Sequence, residues 1–93
     1  MKRLLSCTSS EMLKMDGQEL KQAILASEGR TVMTETVVAI EPLLGDLTNA
    51  ELAVSFGSDM VLLNCFDCNH PEIKGLPACD NPVDKLKEIV GRP

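Results

Sequence analysis

The chain predicts a parallel α/β fold, and three observations carry the prediction. Between Leu47 and Asp67 the sequence LTNAELAVSFGSDMVLLNCFD passes from a capped amphipathic stretch, through Gly57, to an apolar run and then to polar residues. The apolar run Met60-Val61-Leu62-Leu63 is continuous, as in a strand covered by helices on both faces, and too short between Gly57 and Asp67 to be a helix. Stretches of helix type and strand type alternate along the rest of the chain. Folds of this class place ligands at the carboxyl ends of their strands, so Asn64 and Asp67 become the first candidates for a site.

Thr8-Ser9-Ser10-Glu11 has the form of a capping box, in which hydroxyl and carboxylate satisfy each other's backbone N–H groups, and it starts a short helix reaching about Met15. Asp16 and Glu19 repeat the device, with Leu20, Ala23, Ile24 and Ser27 on one face, which predicts a helix from Gly17 to Glu28 stopped by Gly29. Residues 30–38 are rich in β-branched side chains and read as a strand. Glu41 to Asp46 form a loop, because Pro42 cannot sit in a central strand and Gly45 permits a turn. Thr48 and Glu51 make a third capping box, and Leu52, Ala53 and Phe56 form the apolar face of the helix that follows. After the Met60–Leu63 strand, the stretch from Cys68 to Asp80 has prolines, a glycine and no periodicity, and reads as a long loop. Asn81-Pro82 then caps a helix whose buried face is Val83, Leu86, Ile89 and Val90 and whose stop is Gly91.

The chain has 93 residues, the size of one domain; residues 1–29 form a helical segment and 30–93 two strand–helix units. With two phenylalanines and no tryptophan or tyrosine, the core must be built from aliphatic side chains and methionine, with Met33 and Met60 inside it. Fourteen acidic against nine basic residues leave a net charge of −5, with the basic residues dispersed, so neither nucleic acid nor an anionic membrane is an expected partner. Met1 reads as the initiator, and Met1–Cys7 has the look of a lipoprotein leader but only two apolar residues in its centre. The expected location is the cytoplasm, where thiols stay reduced. Two parallel strands do not make an independently stable sheet, and a further strand is expected within about 2–6 residues of Gly91. The chain therefore reads as incomplete, with self-association through uncovered strand edges as an accompanying expectation.

The runs Ala26–Val32, Pro42–Ala53 and Asp59–Asp67, with Lys2–Leu5 and Gly91–Pro93, resemble a bacterial family of parallel β/α barrels labelled phosphoenolpyruvate phosphonomutase-like, or in some cases haloacid-dehalogenase-like hydrolase. The resemblance covers essentially the whole chain and about the first third of a family member. It implies a fold in which this chain is the first two β/α units of a (β/α)8 TIM-type barrel, incomplete as a separate chain. It also implies an enzyme acting on a small molecule of α-keto acid or phosphonate type, Mg²⁺ held by carboxylates at the rim, and no activity from this chain alone.

Glu35, Asp67 and His70 are the candidate catalytic residues, being carboxylates and an imidazole on or just past the strand ends, where they can exchange protons with a ligand. Asp46 and Asn64 are candidate substrate-binding residues on the same rim, and Glu35 and Asp67 the candidate Mg²⁺ ligands. Each has a purely structural counterpart: Asp46 as a turn residue before the helix, Glu35 as an ion-pair partner of Arg30 or a lysine, Asp67 as the acceptor of an Asx-turn. A competing reading starts from Cys65-x-x-Cys68-x-His70 and Cys79, whose soft ligands suit zinc in a small binding or scaffold module. The irregular second half of that pattern makes zinc the weaker expectation. A redox role for the C-x-x-C pair is weaker still, since no helix follows it.

Overall fold

The computed structural model describes residues 2–93; Met1, read above as the initiator, lies outside them. A single 3-10 turn at Leu4–Ser6 precedes helices α1 (Ser9–Leu13) and α2 (Gly17–Ala26). Strand β1 (Met33–Val37), helix α3 (Asn49–Ser55), strand β2 (Met60–Asn64) and helix α4 (Pro82–Val90) follow. The strands pair in parallel, Met33 beside Met60 through Val37 beside Asn64, as the alternating pattern predicts.

The caps form where the local chemistry requires them. Reciprocal capping boxes close the amino ends of α1 (Thr8 with Glu11), α2 (Asp16 with Glu19) and α3 (Thr48 with Glu51). Asn81 and Pro82 open α4, and Gly91 ends it at φ 65° with its N–H donating to the Lys87 carbonyl. A polar clamp joins the two strands at their amino ends. The Asp59 carboxylate accepts the Val32 N–H at 2.8 Å, and the buried Ser58 hydroxyl accepts from Thr34 Oγ1 at 2.8 Å and donates to the Met60 carbonyl at 2.6 Å. No buried side-chain polar atom is left without a partner among the described residues.

Two apolar clusters hold the fold. One joins Val38, Ala50, Ile73 and Leu86, with Val61, Leu63, Phe66, Leu76 and Val90 packed around it, so α3, α4 and the long loop cover one face of the sheet. The other joins Leu4, Met12 and Ala23 with Met60 beside them, and docks the amino-terminal helices on the start of β2. Ser27 seals that dock: fully buried, its hydroxyl accepts the Leu4 N–H and donates to the Ala23 carbonyl, both at 3.0 Å.

The structure overturns the barrel expectation. The described residues form a small domain with a two-stranded sheet and two cores of its own, which does not amount to the first units of an eight-stranded barrel. A strand–helix–strand pattern is local and dictates one parallel pairing; it carries no information on how many strands follow or whether a sheet closes. For the same reason β2 is not buried on both faces. Leu62 and Met33, on the face away from α3 and α4, are 45% and 56% exposed, which also corrects the placing of Met33 in the core.

Phe56 likewise leaves the face expected of it and is 86% exposed, while Ala50 is the α3 residue that is buried. In α4 Leu86 is buried as expected, but Ile89 is 44% exposed. Conversely, Ile73 lies in the segment read as plain loop and is 4% exposed. At the sheet's edges, the Pro93 carbonyl accepts the Val61 N–H at 3.0 Å beside β2, and β1 has a strand neighbour on one side only. No helix among the described residues is long and apolar enough to cross a membrane.

The long loop is seated by close packing. Lys74 donates its N–H to the Val38 carbonyl at 2.9 Å, and Gly75, at φ 93°, leaves no room for a Cβ, which would lie 2.7 Å from Pro42 Cγ and 3.2 Å from the Leu47 carbonyl oxygen. Gly75→Ala combines a left-handed backbone with this overlap and is expected to cost about 2–4 kcal/mol in urea unfolding. Gly29→Ala, at φ 76° but in open space, is the reference and should cost only about 1–2 kcal/mol. Equal costs would show that the loop seat does not constrain Gly75.

The Thr8 N–H, and after it the Lys2 ammonium at 3.0 Å, hold the Glu11 carboxyl down from 4.5 to about 2. Because the folded value is the lower one, the stabilisation is complete above about pH 4.5 and is lost as pH falls towards about 2. A carboxyl-carbon NMR titration should give Glu11 a midpoint near 2 in the native protein, raised part of the way by Lys2→Met; a native midpoint near 4.5 contradicts the cap.

Candidate functional site

The carboxyl ends of β1 and β2 open onto two different surfaces, and the candidate residues divide between them. Parallel pairing sets Glu35 beside Leu62, so Asn64, two residues further on, projects on the same face of the sheet as Glu35. Its amide Nδ2 donates to Glu35 Oε2 at 2.7 Å, and its Oδ1 accepts the Cys65 N–H at 2.8 Å. Glu35 is thus engaged by Asn64, and neither Arg30 nor a lysine pairs with it; the Arg30 guanidinium donates to the Ser27 carbonyl instead. The Asn64 bridge ends at a residue with unusual backbone: Cys65 has φ 63°, a left-handed conformation that costs an L-residue about 1–2 kcal/mol.

Beyond Cys65 the chain turns back through Asp67. One carboxylate oxygen, Oδ1, accepts the Asn69 N–H at 2.9 Å in an Asx-turn, and the Asp67 carbonyl accepts the His70 N–H at 3.2 Å. The turn brings His70 Nδ1 to 3.5 Å from Asp67 Oδ2, the other carboxylate oxygen. With Nδ1 on the side of the carboxylate, imidazole Nε2 is the nitrogen left for proton exchange with a ligand. Both side chains are exposed, at 88% for His70 and 58% for Asp67, so water screens the pair.

Asp67 and His70 line a hollow of about 190 Å³ with Val38, Ala39, Cys65, Glu72 and Lys74. Lys74, seated on the Val38 carbonyl through its N–H, lines the same hollow, and its ammonium lies 3.3 Å from Glu72. Glu72 and Lys74 as neighbours of the Asp67–His70 pair are what sequence reasoning missed, and Cys65 was read beside His70 only as a zinc ligand. The fold-back that brings in Glu72 and Lys74 depends on burial of Ile73, which no sequence periodicity announces.

The remaining candidates stand apart. Glu35 borders a groove of about 420 Å³ along the outer edge of β1, walled by apolar residues that include Ile40, Leu43, Leu52 and Phe56. Asp46 lies in the exposed turn before α3 and borders neither the hollow nor the groove. Glu35 and Asp67 therefore do not face one cavity, and among the described residues no three His, Cys, Asp or Glu side chains are placed to share a cation. Glu35 and Asp67 are therefore not placed to share the Mg²⁺ ion expected of them. The sulfur cluster is also dispersed: all four cysteines are free, Cys79 lines a separate hollow of about 320 Å³ within the loop, and Cys68 borders neither hollow.

Residues 5–93 match the family model described as Domain of unknown function (DUF7916). No curated protein and no solved structure matches the chain.

The Asn64 bridge is testable on its own. Asn64→Ala removes both hydrogen bonds and should lower stability by about 1 kcal/mol in urea unfolding. Cys65→Gly removes the left-handed strain at the expense of backbone entropy, and should leave stability unchanged or raise it by up to about 1 kcal/mol. A loss larger than that of Asn64→Ala would contradict the strained geometry at Cys65.

Proposed function

We propose that this chain, which belongs to the DUF7916 family, supplies an acid–base pair to an enzyme acting on a small polar molecule, with His70 exchanging the proton and Asp67 orienting the imidazole. The observation that carries the reading is the approach of His70 Nδ1 to Asp67 Oδ2 at 3.5 Å on the wall of a hollow of about 190 Å³, just past β2. Parallel α/β folds bind their ligands at this end of the sheet. A lysine, a carboxylate and a thiol lining the same hollow add hydrogen-bonding and ionic contacts for a ligand of a few heavy atoms. The resemblance to phosphonomutase-like proteins suggests an α-keto acid or phosphonate, whose anionic group would compete with Glu72 for the Lys74 ammonium.

The same proposal holds that the chain alone does not turn over substrate. An exposed imidazole in an open hollow lacks the desolvated, preorganised charges that lower a barrier. Glu35 and Asn64 act in this reading by setting the chain direction into the hollow, and Asp46 by shaping the turn before α3. The four free thiols accord with a reducing compartment, and a cytoplasmic location belongs to the proposal.

The test is an NMR titration of the chain with pyruvate and with phosphoenolpyruvate, with and without Mg²⁺, alongside a turnover assay. Shifts are expected at His70, Asp67 and Lys74, weakened at least about tenfold in apparent affinity by His70→Gln, with no turnover. No shift at these residues, or shifts confined to α1 and α2, would overturn the reading. So would stoichiometric zinc whose removal unfolds the chain, which would favour the small binding or scaffold module.

A further inference from the structure

The two edges of the sheet are unlike. Beside β2 the Pro93 carbonyl accepts the Val61 N–H at 3.0 Å, whereas β1 has no strand on its outer side among the described residues. The Val32 carbonyl accepts from Asp59 and Met60, and the Val38 N–H donates to the Asn64 carbonyl, so the even-numbered positions of this stretch direct their backbone groups at β2. Alternation then turns the N–H and C=O groups of Met33, Glu35 and Val37 outward, where they can pair with a further strand. The two faces flanking that edge also differ. Towards α3 lies the groove of about 420 Å³, walled by apolar side chains of which Ile40, Leu43 and Phe56 are exposed. Glu35 borders the groove, but its exposed carboxylate shares the opposite face with Asn64, and no lysine or arginine among the described residues pairs with it.

We propose that the β1 edge receives, by strand addition, an extended segment of another polypeptide in which apolar and basic residues alternate. Side chains of an added strand point in turn to the two faces of the sheet, so those on the α3 side enter the apolar groove and those on the other side come level with Glu35. The unpaired backbone sets the form of the partner, the groove its apolar half, and the carboxylate its charge. A second copy of this chain fits less well. Full antiparallel overlap of two β1 strands sets Glu35 opposite Glu35, like charges directly opposite are destabilising, and each chain carries a net charge of −5. A charge in the middle of an edge strand is one means by which sheets avoid pairing with their own kind. Here it selects a cationic strand instead. This surface is separate from the Asp67–His70 hollow, and the inference does not depend on the function proposed for that hollow.

The test titrates the full chain with the capped peptide acetyl-Lys-Val-Lys-Val-Lys-Val-Lys-amide at physiological salt, followed by NMR. Shifts are expected at Met33, Glu35, Val37 and Phe56, and exchange of the Met33, Glu35 and Val37 amides should slow at least about tenfold at saturation. A peptide of the same composition with its lysines and valines in separate blocks, and one with glutamate in place of lysine, should each bind at least about tenfold more weakly. Glu35→Gln keeps an oxygen for the Asn64 amide and should weaken binding about two- to fivefold. Phe56→Ser, at an exposed position, should leave the fold intact and weaken binding at least about threefold. Absence of binding, equal binding of the alternating and blocked peptides, shifts that avoid β1, or unchanged affinity in either variant would overturn the proposal. So would a dimer of the chain itself in sedimentation that protects the same three amides, which would give the edge to a second copy.

Discussion

The seating of the long loop on the end of β1 is the constraint on which the rest of this structure depends. The Lys74 N–H replaces a missing strand partner at the Val38 carbonyl, Ile73 immediately before it enters the core, and Gly75 immediately after it permits contact with Pro42 and the chain before α3. Burying one isoleucine is worth about 1.5–3 kcal/mol, a large share of what orders a stretch without regular structure. Remove that seat and the connection from β2 to α4 has no reason to fold back. The hollow would then lose the wall that Glu72 and Lys74 provide.

A second, polar chain accompanies this seat. Glu35 on β1 holds Asn64 on β2, and Asn64 holds the backbone of Cys65, so strand pairing is converted into a definite direction of exit from the sheet. The Asx-turn at Asp67 follows from that direction and leaves the second carboxylate oxygen free to meet His70. Position in the hollow therefore derives from parallel register on one side and from Ile73 burial on the other. The Asp67–His70 pair itself is local, within four residues, and its place in the hollow depends on both.

What was legible in the sequence was the chemistry that acts over a few residues. Capping boxes at Thr8, Asp16 and Thr48 and the Asn81-Pro82 start of α4 depend only on neighbours in the chain, and each formed as read. The two strands and their parallel pairing followed from composition and alternation. What failed was whatever depends on the covering of a face. Phe56, Met33 and Leu62 carry the right apolarity for a core but sit on surfaces against which no described residue packs closely enough to bury them, while Ile73 had no periodicity to announce it. The barrel expectation failed for the same reason on a larger scale, as one local unit was extended into a closed sheet. Within the candidate site, Asp67 and His70 were readable from spacing past a strand end. The separation of Glu35 and Asp46 from them was not, because it turns on side-chain direction and on the fold-back of the loop.

Native-state hydrogen exchange at the Lys74 amide tests this account most directly. If the seat on Val38 is the organising constraint, that amide should be protected to within about tenfold of the Val38 amide, which donates to Asn64 across the strands. Exchange of Lys74 at the rate of an unbonded loop amide, with Val38 still protected, would show that the loop is not fixed to the sheet and would contradict the account.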